Sequence, residues 1–423
     1  LSETYEKMLH YAHNLQSPIT MLHMLGIILP ILGLVILPMV VNFIEEVKWY
    51  HLAALYNIVL PVVVYYLGRN VLSRRPTGYG QTDISEENPE LKKYKNVIIK
   101  LGNFEFLINP IFFSIIIGSL LFLLGISPII LHSINFSDIG FGAEDLSSEC
   151  GNKFCLLGYR RSAITGDLIG PYGLGATILS LSVTLAFGVG LGIFYRLRSK
   201  NVINIRRRAE KLELEFASAL FQLGNRLGDG LPAEIAFGKV ANVMQGTVSG
   251  SFFKLVSANI GKLGMSIKRA IFDPVNGALV TFPSNLIESS MKVLIQSVKK
   301  GPIIAAQALT NVSRYIKEIH SVNERLRDLM ADIISDMNSQ IKFLTPAIAG
   351  IVVGITSMVT EILGKLGIQL QQVTAGTADQ AGLISMFGDG IPTFHFQIIV
   401  GLYIVQITYI LTILVNGIEN GAD

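Results

Sequence analysis

Three groups of residues in this 423-residue chain have the types and spacing to bind or to react. One is the basic run Arg206-Arg207-Arg208, which can pair with carboxylates or phosphates. Another is a row of carboxylates, Glu324, Asp328, Asp332 and Asp336, each four residues from the next. That spacing puts all four on one helix face, where like charges at i,i+4 repel by a few tenths of a kcal/mol per pair. Either something basic offsets the repulsion, the arginine run or a partner, or the row is a solvated face. The third group is Cys150 and Cys155, the two cysteines of the chain. They suit a disulfide closing a small loop in an oxidising compartment, with two free thiols as the alternative. A metal site needs more ligands than the CGNKFC segment offers. His10 and His13, three apart, read as surface residues.

Nothing in the sequence has the pattern of an active site. There is no GxxxxGK[ST] phosphate loop, so the chain is not expected to hydrolyse nucleotide itself. No HExxH or GxSxG occurs, and the seven histidines form no ligand-spaced cluster. No catalytic residue, metal or cofactor is expected. A net charge of only +3 argues against nucleic acid as a partner.

The elements that carry these residues are membrane helices. Half the residues are apolar, 15% are charged and mean hydropathy is +0.50, against about 25% charge in ordinary soluble domains. Six apolar stretches are long enough to cross a bilayer, at 21–43, 52–67, 106–131, 172–195, 343–363 and 396–415, the second being short. Arg69, Arg74, Arg75, Lys92, Lys93 and Lys95 lie between the second and third; Arg196, Arg198, Lys200 and Arg206–Arg208 follow the fourth. Residues 367–395 have no Lys or Arg. The positive-inside rule then places both ends of the sequence in the cytoplasm and the 133–170 loop outside. The cysteine pair and an Asn135-Phe136-Ser137 sequon fall in that loop. His23 and Glu361 lie near span ends, and the span centres hold no ionisable residue. Ion-coupled transporters need such groups at mid-membrane. Gly26, Pro30, Gly33 and Pro38, and later Pro346, Gly350 and Gly354, interrupt the spans and read as packing and bends.

The predicted fold is therefore all-α: a polytopic membrane protein of about six transmembrane helices with a helical cytoplasmic domain. The organisation reads as 1–69, the end of a first repeat plus transmembrane helices 1–2; 70–105, a cytoplasmic loop; 106–196, helices 3–4 with the external loop; 197–341, the cytoplasmic domain; and 342–423, helices 5–6. Within 197–341 the periodicity is helical. Leu212, Phe216, Ala219, Leu220, Leu223 and Leu227 form one face, and Gly228-Asp229-Gly230 ends that helix before Pro232. Pro274, Pro283 and Gly301-Pro302 mark further boundaries, for about five helices in all. In the last, Ala308, Val312, Tyr315, Ile319, Val322, Leu326, Leu329 and Ile333 alternate by four and three, a heptad seam. The seam packs either inside the domain or against a second copy of the chain, as a homodimer. With no Gly or Pro between Ile303 and Thr345, this helix is expected to run straight into the fifth span. Tyr5, Met8, Ala12, Leu15, Ile19 and Leu22 repeat the pattern at an offset of 314, except that Leu22 falls on Asp336, while Pro30 and Pro346 disagree with it by two residues. On that reading the sequence begins inside a first copy of the cytoplasmic domain.

Three segments carry a family resemblance. EFASALFQLGNRLGDGLPAEIAF, Glu215 to Phe237, resembles the helix–glycine turn–helix of the type II secretion F domain. FDPVNGALVTFPSNLIE, Phe272 to Glu288, and the proline-rich first span MLGIILPILGLVILPM resemble the archaeal branch. The resemblance implies a non-enzymatic platform in the membrane lipid at the base of a type IV pilus-like or archaellum-like filament. Such platforms couple a separate hexameric secretion ATPase to insertion of pilin-like subunits. The family commonly has two F domains, of which one is whole here. If such an ATPase docks on charged parts of the domain, Arg206–Arg208 and the acidic row are the two candidates, unless the two patches pair with each other. The alternative function is a small-solute transporter or channel.

Overall fold

The computed structural model describes residues 2–43, 49–74, 95–101, 104–133, 157–161, 168–374 and 392–420. Cys150, Cys155 and Asn135 lie outside them, as do Arg75, Lys92 and Lys93. Among the described residues six helices are long and apolar enough to cross a membrane, within Ser17–Ile36, Trp49–Ser73, Pro110–Leu131, Leu174–Gly228, Pro302–Val359 and Thr393–Glu419. The chain is a multi-pass helical membrane protein. It divides into two compact units: residues 1–6, 82–109 and 196–329, and residues 7–81, 110–195 and 330–423.

The second unit holds most of the apolar helix. Its helices are α1 (Ser2–His23), α2 (Leu29–Phe43), α3 (Trp49–Ala54), α4 (Leu60–Ser73), α5 (Pro110–Ser133), the first part of α6 (Leu174–Gly228), and, later in the chain, α13 (Thr345–Thr374) and α14 (Thr393–Asn420). The second span is not short: helix and π turn together run 25 residues from Trp49 to Ser73. Two boundaries also move. Phe106 lies in a strand, not in the third span, and the fourth span starts at Leu174 rather than Tyr172. Among the described residues the strands form two antiparallel hairpins, β1 (Val97–Leu101) with β2 (Phe104–Ile108) in the first unit and β3 (Gly158–Arg161) with β4 (Leu168–Tyr172) in the second. The aromatic and β-branched residues of β1 and β2 suit strands, and hydropathy alone could not separate these two from the adjoining helix.

Proline is accommodated in the same way three times. Five-residue π turns occupy Met24–Ile28, Leu55–Val59 and Gln340–Leu344, and each is followed two residues later by a proline: Pro30, Pro61 and Pro346. The residue just before each proline donates its N–H five residues back, Leu29 to Met24, Leu60 to Leu55 and Thr345 to Gln340. A proline inside an α-helix lacks a donor and clashes with the carbonyl four residues before it, and one extra residue in the turn relieves the clash. A side chain meets one carbonyl left without its donor, that of Gly26, and two other hydroxyls bond main-chain carbonyls at the same turns. Tyr403 donates its hydroxyl to the Gly26 carbonyl, Tyr56 donates to the Pro30 carbonyl at 3.0 Å, and Thr345 Oγ1 donates to the Gln340 carbonyl at 2.8 Å. A Cβ at residue 33 would sit 2.9 Å from the Tyr56 hydroxyl, so Gly33 makes that reach feasible. The α1–π–α2 and α12–π–α13 segments share this architecture at an offset of 316, since 340 − 24 = 316 and 346 − 30 = 316. That is the offset of the prolines, not the 314 of the apolar pattern.

Close packing holds the remaining spans. A Cβ at Gly401 would meet Thr184 Oγ1 at 2.1 Å, and one at Gly125 would meet Val183 Cγ2 at 2.5 Å. Small residues at such crossings let helices in lipid approach closely. Ser180 donates to Gln397 Oε1 at 2.6 Å and Ser114 to the Gly190 carbonyl at 2.7 Å. His23 is buried within the first span and hydrogen-bonded to Gln340, so it is not the span-end residue that hydropathy suggested.

The first unit is the helical domain. The later part of α6 leads to α7 (Ala233–Val243), α8 (Val248–Leu263), α9 (Ile267–Phe272), α10 (Ala278–Thr281), α11 (Asn285–Val298) and α12 (Pro302–Ser339). Five of these are long and two are single turns. The punctuation residues act as expected: α6 ends at Gly228, Gly230 has φ +83°, Pro232 is the N-cap of α7, and Gly301, at φ +118°, precedes α12. The core is an aromatic cluster of Phe216, Phe237, Phe252 and Phe253, with Phe237 stacked on Phe253 at 5.5 Å, closed over by Ile287, Met291, Leu294, Leu309 and Ile316.

Candidate partner-binding surface

Arg206, Arg207 and Arg208 are exposed on α6. Glu324 and Asp328 are exposed on α12 in the same unit. Asp332 and Asp336, further along α12 and grouped with the other unit, are exposed as well. An ion pair does join α6 to α12, but with the signs exchanged: α12 supplies the base, Arg327, and α6 the acid, Glu210, at 3.7 Å. Both side chains are more than half exposed, so this pair contributes only about 0–1 kcal/mol. Arg325 and Arg327 are interleaved with the carboxylate row, so the face of α12 carries both signs.

Other carboxylates of α6 have structural partners. Glu213 Oε1 accepts from the hydroxyl of Ser284, the N-cap of α11, at 2.5 Å. Glu215 Oε2 accepts from the Ser249 N–H at 3.0 Å in the first turn of α8, where Thr247 is the N-cap. Negative charge at a helix N-terminus interacts favourably with the helix dipole and with the unpaired N–H groups there. Glu213 and Glu215 thus seat two helices of the domain on α6. The signal available in the sequence was Thr247 and Ser284, each a capping type standing before an apolar run. Asp273 does similar work locally: its Oδ1 accepts from the Asn276 and Val275 N–H groups at 3.0 and 2.9 Å. Those two backbone bonds hold its carboxyl below the usual carboxylate range.

The heptad seam is displaced by one residue from the core. The residues of α12 that face the core are Ala305, Leu309, Ser313 and Ile316, while Tyr315 is 56% and Leu329 39% exposed. Ala308, Val312, Ile319, Val322 and Ile333 are half-buried, and the Leu326 side chain lies outside the described residues. The buried line includes a polar residue, Ser313, whose hydroxyl donates to the Ala217 carbonyl at 2.6 Å. An apolar pattern therefore selected the neighbouring line, about 100° round the helix. At Gly224 the two helices pack closely, and a Cβ there would lie 3.2 Å from the Ala306 carbonyl.

His10 is exposed, and the His13 side chain lies outside the described residues. Among the described residues no group of three or more His, Cys, Asp or Glu is placed to hold a metal. No protein-family model, no curated protein and no solved structure matches the chain.

Proposed function

We propose that the chain is the non-enzymatic membrane platform of a type IV filament assembly machine, of pilus or archaellum kind, built on a type II secretion F domain. It couples a separate secretion ATPase in the cytoplasm to insertion of pilin-like subunits. The observation that carries this reading is that α6 and α12, which flank the helical domain, are each one element with an apolar span. The 55 residues of α6 include both an apolar membrane segment and the Leu212–Leu227 core face, and α12 passes through a π turn into α13. Such helices transmit a push or twist applied to the domain, which is what a platform must do and what a soluble regulator has no use for.

Arg206–Arg208 and the Glu324–Asp328–Asp332–Asp336 row are the docking candidates, and the exposed Tyr315 and Leu329 line is where a second copy would pack. In an interface, like charge set against like costs several kcal/mol. Replacing Arg206–Arg208 by glutamate should therefore abolish co-purification of the ATPase and filament assembly while the protein still inserts. Full assembly both in that variant and in one with the acidic row reversed to lysine would overturn the docking assignment. Orientation is tested separately: an impermeant thiol reagent should reach Cys150 in intact cells after reduction, and labelling only after lysis would invert the topology.

A small-solute transporter or channel is the second reading. It draws on Asn57 Oδ1 and Gln406 Oε1, buried polar atoms of the second and sixth spans that have no hydrogen-bond partner among the described residues. Solute flux through proteoliposomes containing the purified chain alone would favour it.

A further inference from the structure

We propose that the β1–β2 hairpin is a lipid-binding element. It lies flat on the bilayer surface, and the face that carries Val97, Ile99, Leu101, Phe104, Phe106 and Ile108 rests at the boundary between headgroups and acyl chains of anionic phospholipid. Four observations carry this.

The first is the pattern. The register pairs Val97 with Ile108, Ile99 with Phe106 and Leu101 with Phe104. Alternate positions along a strand share a face, so these six residues share one, and all are apolar. The other face pairs Ile98 with Leu107 and Lys100 with Glu105, two opposite charges directly across from each other. Leu107, on that mixed face, is 53% exposed. The hairpin is therefore amphipathic.

The second is the want of a protein partner for the apolar face. Each strand is five residues long and pairs with the other alone, so both are edges. A two-stranded hairpin by itself is marginal in water and needs its apolar face packed on something. Among the described elements the extensive contacts of β1 and β2 are with each other and with no helix.

The third is depth. The third span, Pro110–Leu131, has 22 residues, about 33 Å of helix, so Pro110 comes at the edge of the hydrocarbon. One residue, Asn109, separates it from the end of β2. Two residue steps reach about 7 Å, so covalent linkage alone keeps Ile108 at the bilayer surface. The hairpin cannot sink further, because its two edges carry N–H and C=O groups that hydrocarbon does not satisfy. Water and headgroups do satisfy them. The depth left is the interface, with one face down, as amphipathic helices lie there.

The fourth is charge. Between Glu90 and Glu105 the sequence holds Lys92, Lys93, Lys95 and Lys100 and no Asp or Glu. A basic segment beside a span draws anionic headgroups. The hairpin thereby anchors the connection between the second and third spans to the leaflet it emerges from.

Quenching by lipid tests the assignment in the full chain. Trp49 is the one tryptophan of the sequence, so W49F/F106W and W49F/L107W report separately on the two faces. Each is reconstituted in vesicles of phosphatidylcholine, or of phosphatidylcholine with phosphatidylglycerol, brominated high on the acyl chains. Lipid quenching at position 106 should exceed that at 107 on the order of twofold, and more so with phosphatidylglycerol present. Aqueous acrylamide should quench position 107 and spare 106. W49F/F104W should behave as W49F/F106W does, which guards against a defect peculiar to one site. Replacing Lys92, Lys93, Lys95 and Lys100 by glutamine should remove the dependence on phosphatidylglycerol. Equal lipid quenching of the two faces would overturn the proposal. So would quenching of position 106 by neither agent, since protein would then cover that face. No effect of phosphatidylglycerol would overturn the assignment to anionic lipid.

Discussion

Replacing Tyr403 by phenylalanine removes one oxygen atom and probes how the first span tolerates Pro30. In an α-helix the Gly26 carbonyl would receive the N–H of residue 30, which proline lacks. The Tyr403 hydroxyl supplies that missing donor, and its ring lies edge-on to Tyr56 at 5.6 Å. Phenylalanine keeps the ring contact and leaves a buried carbonyl unpaired. Such a group costs about 1–3 kcal/mol in a protein interior, and side-chain hydrogen bonds measured within membranes reach about 1.7. A loss of about 1–2 kcal/mol is therefore expected for Y403F in reversible SDS unfolding from mixed micelles. The sharper test is a double-mutant cycle with Pro30→Ala. Alanine restores an N–H at position 30, so the hydroxyl becomes redundant and Y403F should cost at least about 1 kcal/mol less in that background. Equal costs in the two backgrounds would show that the hydroxyl does not stand in for the missing amide, and the account of the π turns would fail.

Gly401→Leu forces a side chain into the space held by Thr184 and should destabilise the membrane unit by about 1–3 kcal/mol or more in the same assay, with Gly401→Ala intermediate. Phe216→Ala opens a cavity at the centre of the helical domain and should cost about 3–5 kcal/mol, read as loss of amide-exchange protection in α8 and α11. Asp273 has a folded pKa below its unfolded value. Its stabilising contribution is therefore complete above the unfolded carboxylate pKa, near 4, and is lost as pH falls through the lower folded value. The Val275 and Asn276 amides should accordingly exchange faster in Asp273→Ala at neutral pH, and the difference from wild type should shrink toward pH 2.

Six apolar spans and the helix breaks at Gly228–Pro232 and Gly301–Pro302 could be read from the sequence because their causes are local: runs of apolar residues, glycines needing positive φ, and prolines that cannot continue a helix. The hairpins escaped because strands as short as Val97–Leu101 are apolar and adjoin longer apolar runs. The core-facing register of α12 escaped because Ser313 pairs with a carbonyl from 96 residues away, a bond no local pattern announces. For the same reason Glu213 and Glu215 looked like ordinary surface charge. Their partners, Ser284 and Ser249, are brought to them only by the fold. The candidate surface was legible as residue types and exposure, whereas the Arg327–Glu210 pairing needed the packing of α6 on α12.

The three π turns also bear on how this chain should be aligned with others. A π turn is a helix carrying one residue more than its α-helical counterpart, so each behaves as a single-residue insertion whose effect is confined to one turn. The buried positions Met337, Ile341, Thr345 and Ala349 register the insertion as three successive spacings of four. A related sequence with no proline at position 30, 61 or 346 has no clash to relieve and should lack one residue just upstream. Proline and insertion should be gained or lost together, and an alignment that forbids gaps inside membrane helices would misplace every residue beyond them by one.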